Sequence, residues 1–362
     1  MTGRGRMIAL LTLTVLVLGF PSVAPAVAAE SLWKLFPSDH GGIFHGVSGL
    51  TANDVWVVGY YYDQPSARYL PTTEHWDGVR FTHHAAPPAT NGYNALNAVV
   101  EVAPNDVWAV GYQTPVYYTT NYSPLIEHWN GSSWSIVPSP YTGAGQLTAI
   151  TALSSTDVWA AGTRTTNPEG TLILHYNGST WSVVSDGHAN DSAGLQGIAA
   201  APDGTVWAAG GTFQGEGERS TFVERWDGHS WTVQPTLDDS EYDEFNAIAA
   251  GPNGLVWGVG WKSPGLGYFQ FSERYQGGTW QIEPTPDYGT SNNNLYGVVA
   301  LSARRVWAVG YESFSPVIQR WTGTEWVVEP DPAQWCCTLW GIAKAGRSLW
   351  AVGDSIIMRR GL

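Results

Sequence analysis

Residues 105–140, NDVWAVGYQTPVYYTTNYSPLIEHWNGSSWSIVPSP, are the stretch of the chain that decides the fold. The stretch contains three short apolar and aromatic runs, VWAVG, LIEHW and SWSIV, and turn-forming residues follow each run. Short runs rich in branched and aromatic residues between Gly, Pro and Asn signals indicate β-strands. The Asn130-Gly131 pair between the last two runs is a strong signal for a two-residue hairpin. We therefore predict three antiparallel strands in this stretch.

The same pattern occurs seven times along the chain. A Val-Trp or Leu-Trp pair, followed by two small or apolar residues and Gly, recurs at spacings of 43 to 52 residues. A run of small and branched residues precedes each pair, as in residues 96–100, so each copy supplies four strands. Four-stranded antiparallel units repeated at such a period are typical of the blades of a β-propeller. The tryptophans of the seven pairs are Trp56, Trp108, Trp159, Trp207, Trp257, Trp307 and Trp350.

We predict an all-β protein in which residues 30–362 form a single seven-bladed β-propeller domain. The seventh copy supplies only three strands, and residues 31–37 (SLWKLFP) match the fourth-strand segment at residues 133–138. The N-terminal strand should therefore complete the last blade and close the ring. The predicted repeats lie near residues 44–86, 95–138, 147–185, 195–235, 245–284, 295–330 and 339–360.

The repeat resembles that of the kelch-like propellers, to which the galactose oxidase propeller is related. The Val-Gly ending of the second strand, the aromatic residue of the third, and the Trp of the fourth before a Pro-rich segment fall where kelch repeats place theirs. Most copies lack the paired glycines of a kelch repeat, and Gly210-Gly211 is the exception. The resemblance covers about 330 residues. It implies the fold, and a fold alone does not specify an activity.

Residues 1–29 are predicted to be a cleaved secretory signal peptide. Arg4 and Arg6 precede an apolar run at residues 7–20, and small residues suitable for cleavage follow at residues 26–29. The apolar run is too short to span a membrane, and no second apolar run follows it. We therefore expect a secreted, extracellular protein without a membrane span.

The acidic composition argues against several classes of partner. Without the signal peptide, 15 basic residues stand against 31 acidic ones, a net charge of −16. Such a surface repels phosphate backbones and anionic lipid heads, so neither nucleic acid nor a membrane surface is an expected partner. The acidic run at residues 238–244 lacks the spacing of a calcium loop and is expected to be solvated. We predict no metal and no cofactor, and we expect a monomer.

Paired changes across the copies predict a hydrogen bond inside each of three blades. An Asp precedes the Val-Trp pair only in the copies whose third strand carries His, and the other four copies carry Arg in the third strand. Both positions lie at the same end of neighbouring strands, so a structural Asp–His hydrogen bond is expected. A metal site would need the histidines to converge, whereas they lie in three different blades. The predicted pairs are Asp54 with His75, Asp106 with His128, and Asp157 with His175.

The connections that differ from copy to copy all fall on one face of the predicted ring, which we call the variable face. Binding residues usually lie on variable loops that a rigid scaffold holds. The second residue of each first strand also varies, and these residues should surround the mouth of the central channel. We predict that they bind a ligand, with a solvated channel lining as the alternative. They are His45, Asn97, Thr148, Gln196, Asn246, Tyr296 and Trp340.

Three of the 20 tryptophans lie outside the positions of the second, third and fourth strands at which Trp recurs, and they map to the variable face: Trp261, Trp335 and Trp340. They are candidates for a stacking platform, with packing against the blade tops as the alternative.

Cys336 and Cys337 lie between Trp335 and Trp340 and are the only cysteines. We predict a vicinal disulfide, strained because adjacent Cα atoms are only about 3.8 Å apart. Free thiols and an intermolecular bridge are the alternatives.

The leading functional hypothesis is a secreted binding module for carbohydrate or a similar neutral ligand. Exposed Trp and Tyr pack on sugar rings, while Asn, Gln and His satisfy hydroxyl groups. The first alternative is an extracellular polysaccharide lyase or glycoside hydrolase, with His45 and either Tyr296 or Tyr60 as acid/base candidates. A glycosidase needs two facing carboxylates, and the mouth positions contain none. The second alternative is a protein-interaction platform, favoured by the Tyr-rich loops at residues 60–62 and 117–122.

Overall fold

The computed structural model describes residues 31–115, 121–165, 169–188, 191–213, 218–238, 240, 242–290, 292–333 and 337–362. The predicted signal peptide lies outside these residues. Within them the chain is built of β-strands, with one short 3₁₀ turn at Pro252–Gly254. None of the helical structure in the described part of the chain is long and apolar enough to cross a membrane.

The strands form seven four-stranded antiparallel sheets, which we call blades 1 to 7. The strand β1 (Trp33–Phe36) comes first in the chain and belongs to blade 7. The other strands follow in chain order. Blades 1 to 3 contain β2 (Ile43–Thr51), β3 (Asp54–Asp63), β4 (Arg68–Trp76) and β5 (Phe81–His83); β6 (Asn94–Ala103), β7 (Asp106–Gln113), β8 (Ser123–Trp129) and β9 (Trp134–Ile136); and β10 (Gly145–Ser154), β11 (Asp157–Arg164), β12 (Gly170–Tyr176) and β13 (Trp181–Val184).

Blades 4 to 6 also have four strands each. They contain β14 (Ala193–Ala200), β15 (Val206–Phe213), β16 (Arg219–Trp226) and β17 (Trp231–Gln234); β18 (Asp243–Ala250), β19 (Val256–Lys262), β20 (Phe269–Gln276) and β21 (Thr279–Ile282); and β22 (Asn293–Ser302), β23 (Arg305–Glu312), β24 (Ser315–Trp321) and β25 (Trp326–Val328). Blade 7 takes its other three strands from the end of the chain: β26 (Leu339–Ala345), β27 (Ser348–Gly353) and β28 (Ile357–Gly361).

Blade 7 joins the two ends of the described chain, as the sequence predicts. Its strand order is β26-β27-β28-β1, and β1 pairs with β28 from Trp33↔Arg360 to Phe36↔Ile357. The Trp33 side chain is 2% exposed, and its Nε1 donates a hydrogen bond to Glu329 Oε2 at 2.9 Å. The N-terminal strand therefore closes the ring by filling the outer position of the last blade.

The hydrophobic core lies between neighbouring blades. In one cluster, Trp56 of blade 1 packs with Leu96, Trp129 and Trp134 of blade 2. The tryptophan of every repeated Val-Trp or Leu-Trp pair is at most 4% exposed. Burial of such a large ring is strongly stabilising. The pair therefore recurs because each blade needs one bulky side chain to fill the gap to its neighbour.

A β-bulge lies at the same place in the first strand of every blade. In blade 2 the pairing passes from Leu96 directly to Ala98, so Asn97 has no partner in the register. A bulge leaves its extra residue out of the ladder and changes the direction of its side chain. Equivalent shifts occur around His45, Thr148, Gln196, Asn246, Tyr296 and Trp340.

The bulge explains the glycine of the repeated motif. Gly111 pairs with Leu96 beside the bulge, and a Cβ atom on Gly111 would lie 2.0 Å from the carbonyl oxygen of Ala95. The corresponding glycines of the other six blades would place a Cβ atom 1.8 to 1.9 Å from the equivalent carbonyl. Any side chain there would push the two strands apart, so the close approach requires glycine.

The three predicted Asp–His hydrogen bonds are confirmed. The Nε2–Oδ1 distances are 2.6, 2.8 and 2.9 Å for the pairs that begin with Asp54, Asp106 and Asp157. Each pair lies within a single blade and links the second and third strands. In the described residues, no group of three or more His, Cys, Asp or Glu is placed to hold a metal ion.

A glutamate in the third strand of a blade faces the connection that leads into the first strand of the same blade. The carboxylate of Glu74 accepts a hydrogen bond from Ser38 Oγ at 2.6 Å. It also accepts the backbone N–H groups of Asp39 at 2.9 Å and His40 at 3.0 Å. The equivalent connection into blade 2 contains Pro87-Pro88, and proline has no N–H to donate. Glu127 of blade 2 is fully buried, and neither of its carboxyl oxygens has a partner among the described residues. Burial raises the pKa of Glu127 to about 8.

Candidate functional site

The seven bulge residues line one cavity of about 430 Å³ on the ring axis, which we call the mouth. The side chains that the sequence predicts to gather at the channel are therefore brought together. Asp, Glu, Lys and Arg do not occur among the described residues that line the mouth. The volume lies within the range of small-molecule binding sites.

Three of the bulge residues also tie neighbouring blades together. Asn97 Nδ2 donates to the carbonyl oxygen of Leu147 at 2.7 Å, and Thr148 Oγ1 donates to that of Leu195 at 2.8 Å. Asn246 Nδ2 makes the equivalent bond to the next blade at 2.8 Å. Short polar side chains at these positions thus fix the shape of the mouth. The sequence interpretation missed this role, although each acceptor is the Leu that directly precedes the next bulge residue.

Trp340 lies between the other two large rings of the mouth. Its ring centroid is 5.3 Å from that of His45 and 4.4 Å from that of Tyr296. The indole Nε1 donates to Asp354 Oδ1 at 2.7 Å, and Asp354 Oδ2 accepts the backbone N–H of Thr338 at 3.0 Å. The hydrogen-bonded carboxylate holds the indole in one orientation, so the ring is a preorganised apolar surface.

The rings at the mouth continue outward as an aromatic arc across the variable face. On one side the ring centroid of Tyr60 lies 5.4 Å from that of His45. The centroid of Tyr69 then lies 5.5 Å from that of Tyr60, and the centroid of Tyr93 lies 4.9 Å from that of Tyr69. On the other side Tyr311 follows Tyr296 at 5.9 Å, with the two rings nearly parallel. Every spacing is that of rings in contact. The arc consists of Tyr93, Tyr69, Tyr60, His45, Trp340, Tyr296 and Tyr311.

His45 is held in one neutral form. The amide nitrogen of Asn97 donates to a backbone carbonyl, so its Oδ1, 3.4 Å from His45 Nδ1, acts as the acceptor. Nδ1 is therefore the protonated nitrogen, and Nε2 carries the lone pair. Burial lowers the pKa of His45 below its usual value, and the hydrogen bond to Asn97 and the charge of Asp354 oppose that shift more weakly. The imidazole is thus neutral at pH 7 and able to accept a proton.

The two tyrosines that the sequence predicts as partners of His45 are placed differently. Tyr60 is in ring contact with His45, whereas Trp340 stands between His45 and Tyr296. Burial raises the pKa of Tyr296 to about 12 and also raises that of Tyr60. Both phenols therefore stay protonated at neutral pH and are hydrogen-bond donors.

A second cavity of about 630 Å³ opens beside the mouth and is lined by residues of blades 4, 5 and 6; we call it the cleft. Trp261 forms one wall and meets Tyr268 edge to face at a centroid distance of 5.0 Å. Tyr242 and Tyr311 supply further rings, and Tyr296 lines both the cleft and the mouth. Trp261, which the sequence predicts to lie on the variable face, thus lines an aromatic cavity that adjoins the mouth.

The end of the acidic run is buried beside the cleft, so the predicted solvated loop is wrong there. Asp243 and Glu244 are 0% and 6% exposed and begin a first strand. Glu244 forms an ion pair with Arg219, which lines the cleft. The guanidinium of Arg219 lies 4.2 Å from the ring centroid of Phe213 and 5.8 Å from that of Trp261. The buried carboxylate is retained because it has this charged partner.

Other predicted residues lie outside the described part of the chain. Trp335 and Cys336 are among them, so the predicted stacking role and the predicted vicinal disulfide stay predictions. Cys337 is described and has a left-handed backbone, with φ of 94°. Most of the Tyr-rich loop at residues 117–122 is also outside, and the described Tyr122 contacts Tyr112 at 4.9 Å.

Comparison with known proteins identifies the fold and no family. No protein-family model matches the chain, and no curated protein matches it. Among solved structures, YCF48 bound to D1 peptide is 16% identical, with a TM-score of 0.61 over 92% of this chain and 98% of that one. A catalytically inactive virginiamycin B lyase from Staphylococcus aureus with quinupristin is 12% identical, with a TM-score of 0.64 over 91% and 99%. The extracellular domain of the putative one component system BT4673 from B. thetaiotaomicron is 12% identical, with a TM-score of 0.57 over 91% of this chain and 39% of that one. At these identities the likeness concerns the fold alone, and the chain is a seven-bladed β-propeller similar to these proteins.

Proposed function

We propose that this propeller is a secreted binding module that takes a carbohydrate, or a similar neutral ligand with rings, at the mouth. The aromatic arc is the observation that carries the proposal. Its rings pass through the mouth and contact one another at spacings of 4.4 to 5.9 Å. Aromatic faces beside amide, hydroxyl and imidazole groups suit a ligand that has apolar ring faces and hydroxyl edges.

The electrostatics of the mouth favour a neutral ligand. The described lining has no Asp, Glu, Lys or Arg, and His45 is neutral because burial lowers its pKa. An ionic ligand would lose its hydration in the mouth without gaining a partner of opposite charge. Neutral hydroxyl groups, by contrast, find donors and acceptors in Gln146, Gln196 and Tyr296.

Secretion and a kelch-like origin belong to the same proposal. The Arg-containing N-terminus, the apolar run and the small residues of the first 29 positions support secretion. The Val-Gly ending of the second strand and the Trp of the fourth support the kelch-like relationship.

Two observations favour alternatives. YCF48 in its solved structure is bound to a peptide, which favours a peptide or protein partner on the variable face. His45 with its Nε2 lone pair, next to the protonated phenol of Tyr60, is an acid/base pair that a lyase could use. A glycosidase with two carboxylates is less favoured, because the described mouth lining contains neither Asp nor Glu.

A glycan array with the purified full chain tests the proposal. We expect neutral glycans to bind wild type and Trp134→Phe, and not Trp340→Ala. Trp134 is a buried framework residue, so its variant controls for the loss of an indole elsewhere. Turnover of an array polysaccharide that is lost in His45→Ala would favour the lyase instead. Binding that Trp340→Ala leaves intact, or no glycan binding at all, would overturn the proposal.

A further inference from the structure

The cleft shares a wall with the mouth and has the same chemistry. Tyr296 lines both cavities, and Tyr311 continues the aromatic arc from the mouth into the cleft. The far wall is the perpendicular pair of Trp261 and Tyr268. A ligand that lies on Trp340 and Tyr296 can therefore extend over Tyr311 toward Trp261 without leaving an aromatic surface.

The charges at the cleft are balanced. Among its described lining residues Arg219 alone carries a full charge, and Glu244 compensates that charge. The buried carboxylate of Glu244 holds the guanidinium of Arg219, which lies 4.2 Å from the ring centroid of Phe213 and 5.8 Å from that of Trp261. Like the mouth, the cleft therefore suits a neutral ligand.

Two exposed apolar side chains lie in chain segments next to residues that line the cleft. Leu266 is 96% exposed on the connection between Gly265 and Tyr268, which line the cleft. Phe314 is 81% exposed at the tip of the hairpin that follows Tyr311. Its φ of 82° is unusual for a bulky residue, and strained backbone of this kind clusters at binding sites.

We propose that the cleft is a second subsite of the mouth, and that the partner of this protein is a linear neutral polysaccharide. The inference rests on the proposed function. Two adjoining subsites bind the two ends of one segment, and the second contact forms at high effective concentration once the first is made. Oligomers long enough to reach both cavities must therefore bind more tightly than short ones.

Titration calorimetry, which measures the affinity for oligosaccharides of two to eight sugar units, tests the proposal. The probes are three neutral series: β-1,4-glucan, β-1,4-xylan and α-1,4-glucan. In the series that binds, we expect wild-type affinity to rise at least tenfold from the dimer to the hexamer. Trp261→Ala should keep the affinity for the dimer and lose the increase with length. Trp340→Ala should lose the affinity for all lengths, and Trp134→Phe should match wild type.

Each contrary outcome is distinct. An affinity that does not change with length, or a Trp261→Ala variant that matches wild type at every length, would overturn the second subsite and leave the mouth site standing. Equal loss at all lengths in Trp261→Ala would also overturn it, because the cleft would then not act separately. Failure of wild type to bind any of the three series would overturn this inference, whereas the proposed function is overturned only if the glycan array shows no binding as well.

Discussion

Trp33→Ala is the substitution that measures how firmly the N-terminal strand closes the ring. Trp33 is 2% exposed and packs against the core shared by blades 6 and 7. Replacing a buried Trp by Ala typically costs about 3–5 kcal/mol. The lost indole hydrogen bond adds little, because Glu329 keeps ion pairs with Arg320 and Arg360. We therefore expect a loss of about 3–5 kcal/mol, a large share of the roughly 5–15 kcal/mol that stabilises a typical protein.

Equilibrium urea unfolding, followed by tryptophan fluorescence, measures this loss. Leu35→Ala is the matched control, because Leu35 lies in the same strand and is 48% exposed. An exposed substitution of this kind should change the free energy of unfolding by less than about 1 kcal/mol. If Trp33→Ala cost no more than Leu35→Ala, the closure of the ring by β1 would not contribute to stability, and the reasoning would be refuted.

Three further predictions concern polar groups that are partly or fully buried. Asp106→Ala should cost about 1 kcal/mol in urea unfolding, because it removes the hydrogen bond to His128; a loss below about 0.3 kcal/mol would contradict a structural role. Glu127→Gln should raise the free energy of unfolding at pH 9 relative to wild type. The folded pKa of Glu127, about 8, lies above its ordinary value, so the stability from its protonated form is complete below about pH 4.5 and is lost as the pH rises through 8. Glu74→Gln, at the equivalent place, should be destabilising because the Glu74 carboxylate has hydrogen-bond donors. Equal pH profiles for wild type and Glu127→Gln would contradict the assignment.

The architecture follows from the sequence because its signals are local and repeated. Each Val-Trp pair, hairpin turn and fourth-strand Trp predicts its own strand, and the spacing near 50 residues predicts the ring. The pairing of Asp54 with His75 could be predicted because the two positions change together between copies. The gathering of the variable first-strand residues followed from the topology of a propeller.

The finer features of the site depend on contacts between blades, which no local pattern contains. The bulge at Asn97 appears only once the register with Gly111 is known. The acceptor of Asn97 lies 50 residues away in the next blade. Glu244 looks like part of a solvated acidic run, and its burial follows from Arg219, which the fold brings beside it.

The aromatic arc also depends on tertiary contacts that no local sequence pattern contains. Tyr60, Tyr69 and Tyr93 belong to different strands and connections, and only their tertiary positions bring the rings into contact. Arg219 and Tyr268 entered no sequence prediction, because a single Arg or Tyr at or just before the start of a strand has no distinctive pattern.

Fluorine NMR of protein labelled with 5-fluorotryptophan tests the binding site most directly. The Trp340 and Trp261 signals are assigned by Trp340→Phe and Trp261→Phe, and the neutral oligosaccharide that binds best is titrated in. We predict that the Trp340 signal moves with the dimer and that the Trp261 signal moves as well with the hexamer. The signals of the buried core tryptophans, such as Trp56, should stay in place. Changes confined to those core tryptophans, with Trp340 unmoved, would contradict binding at the mouth.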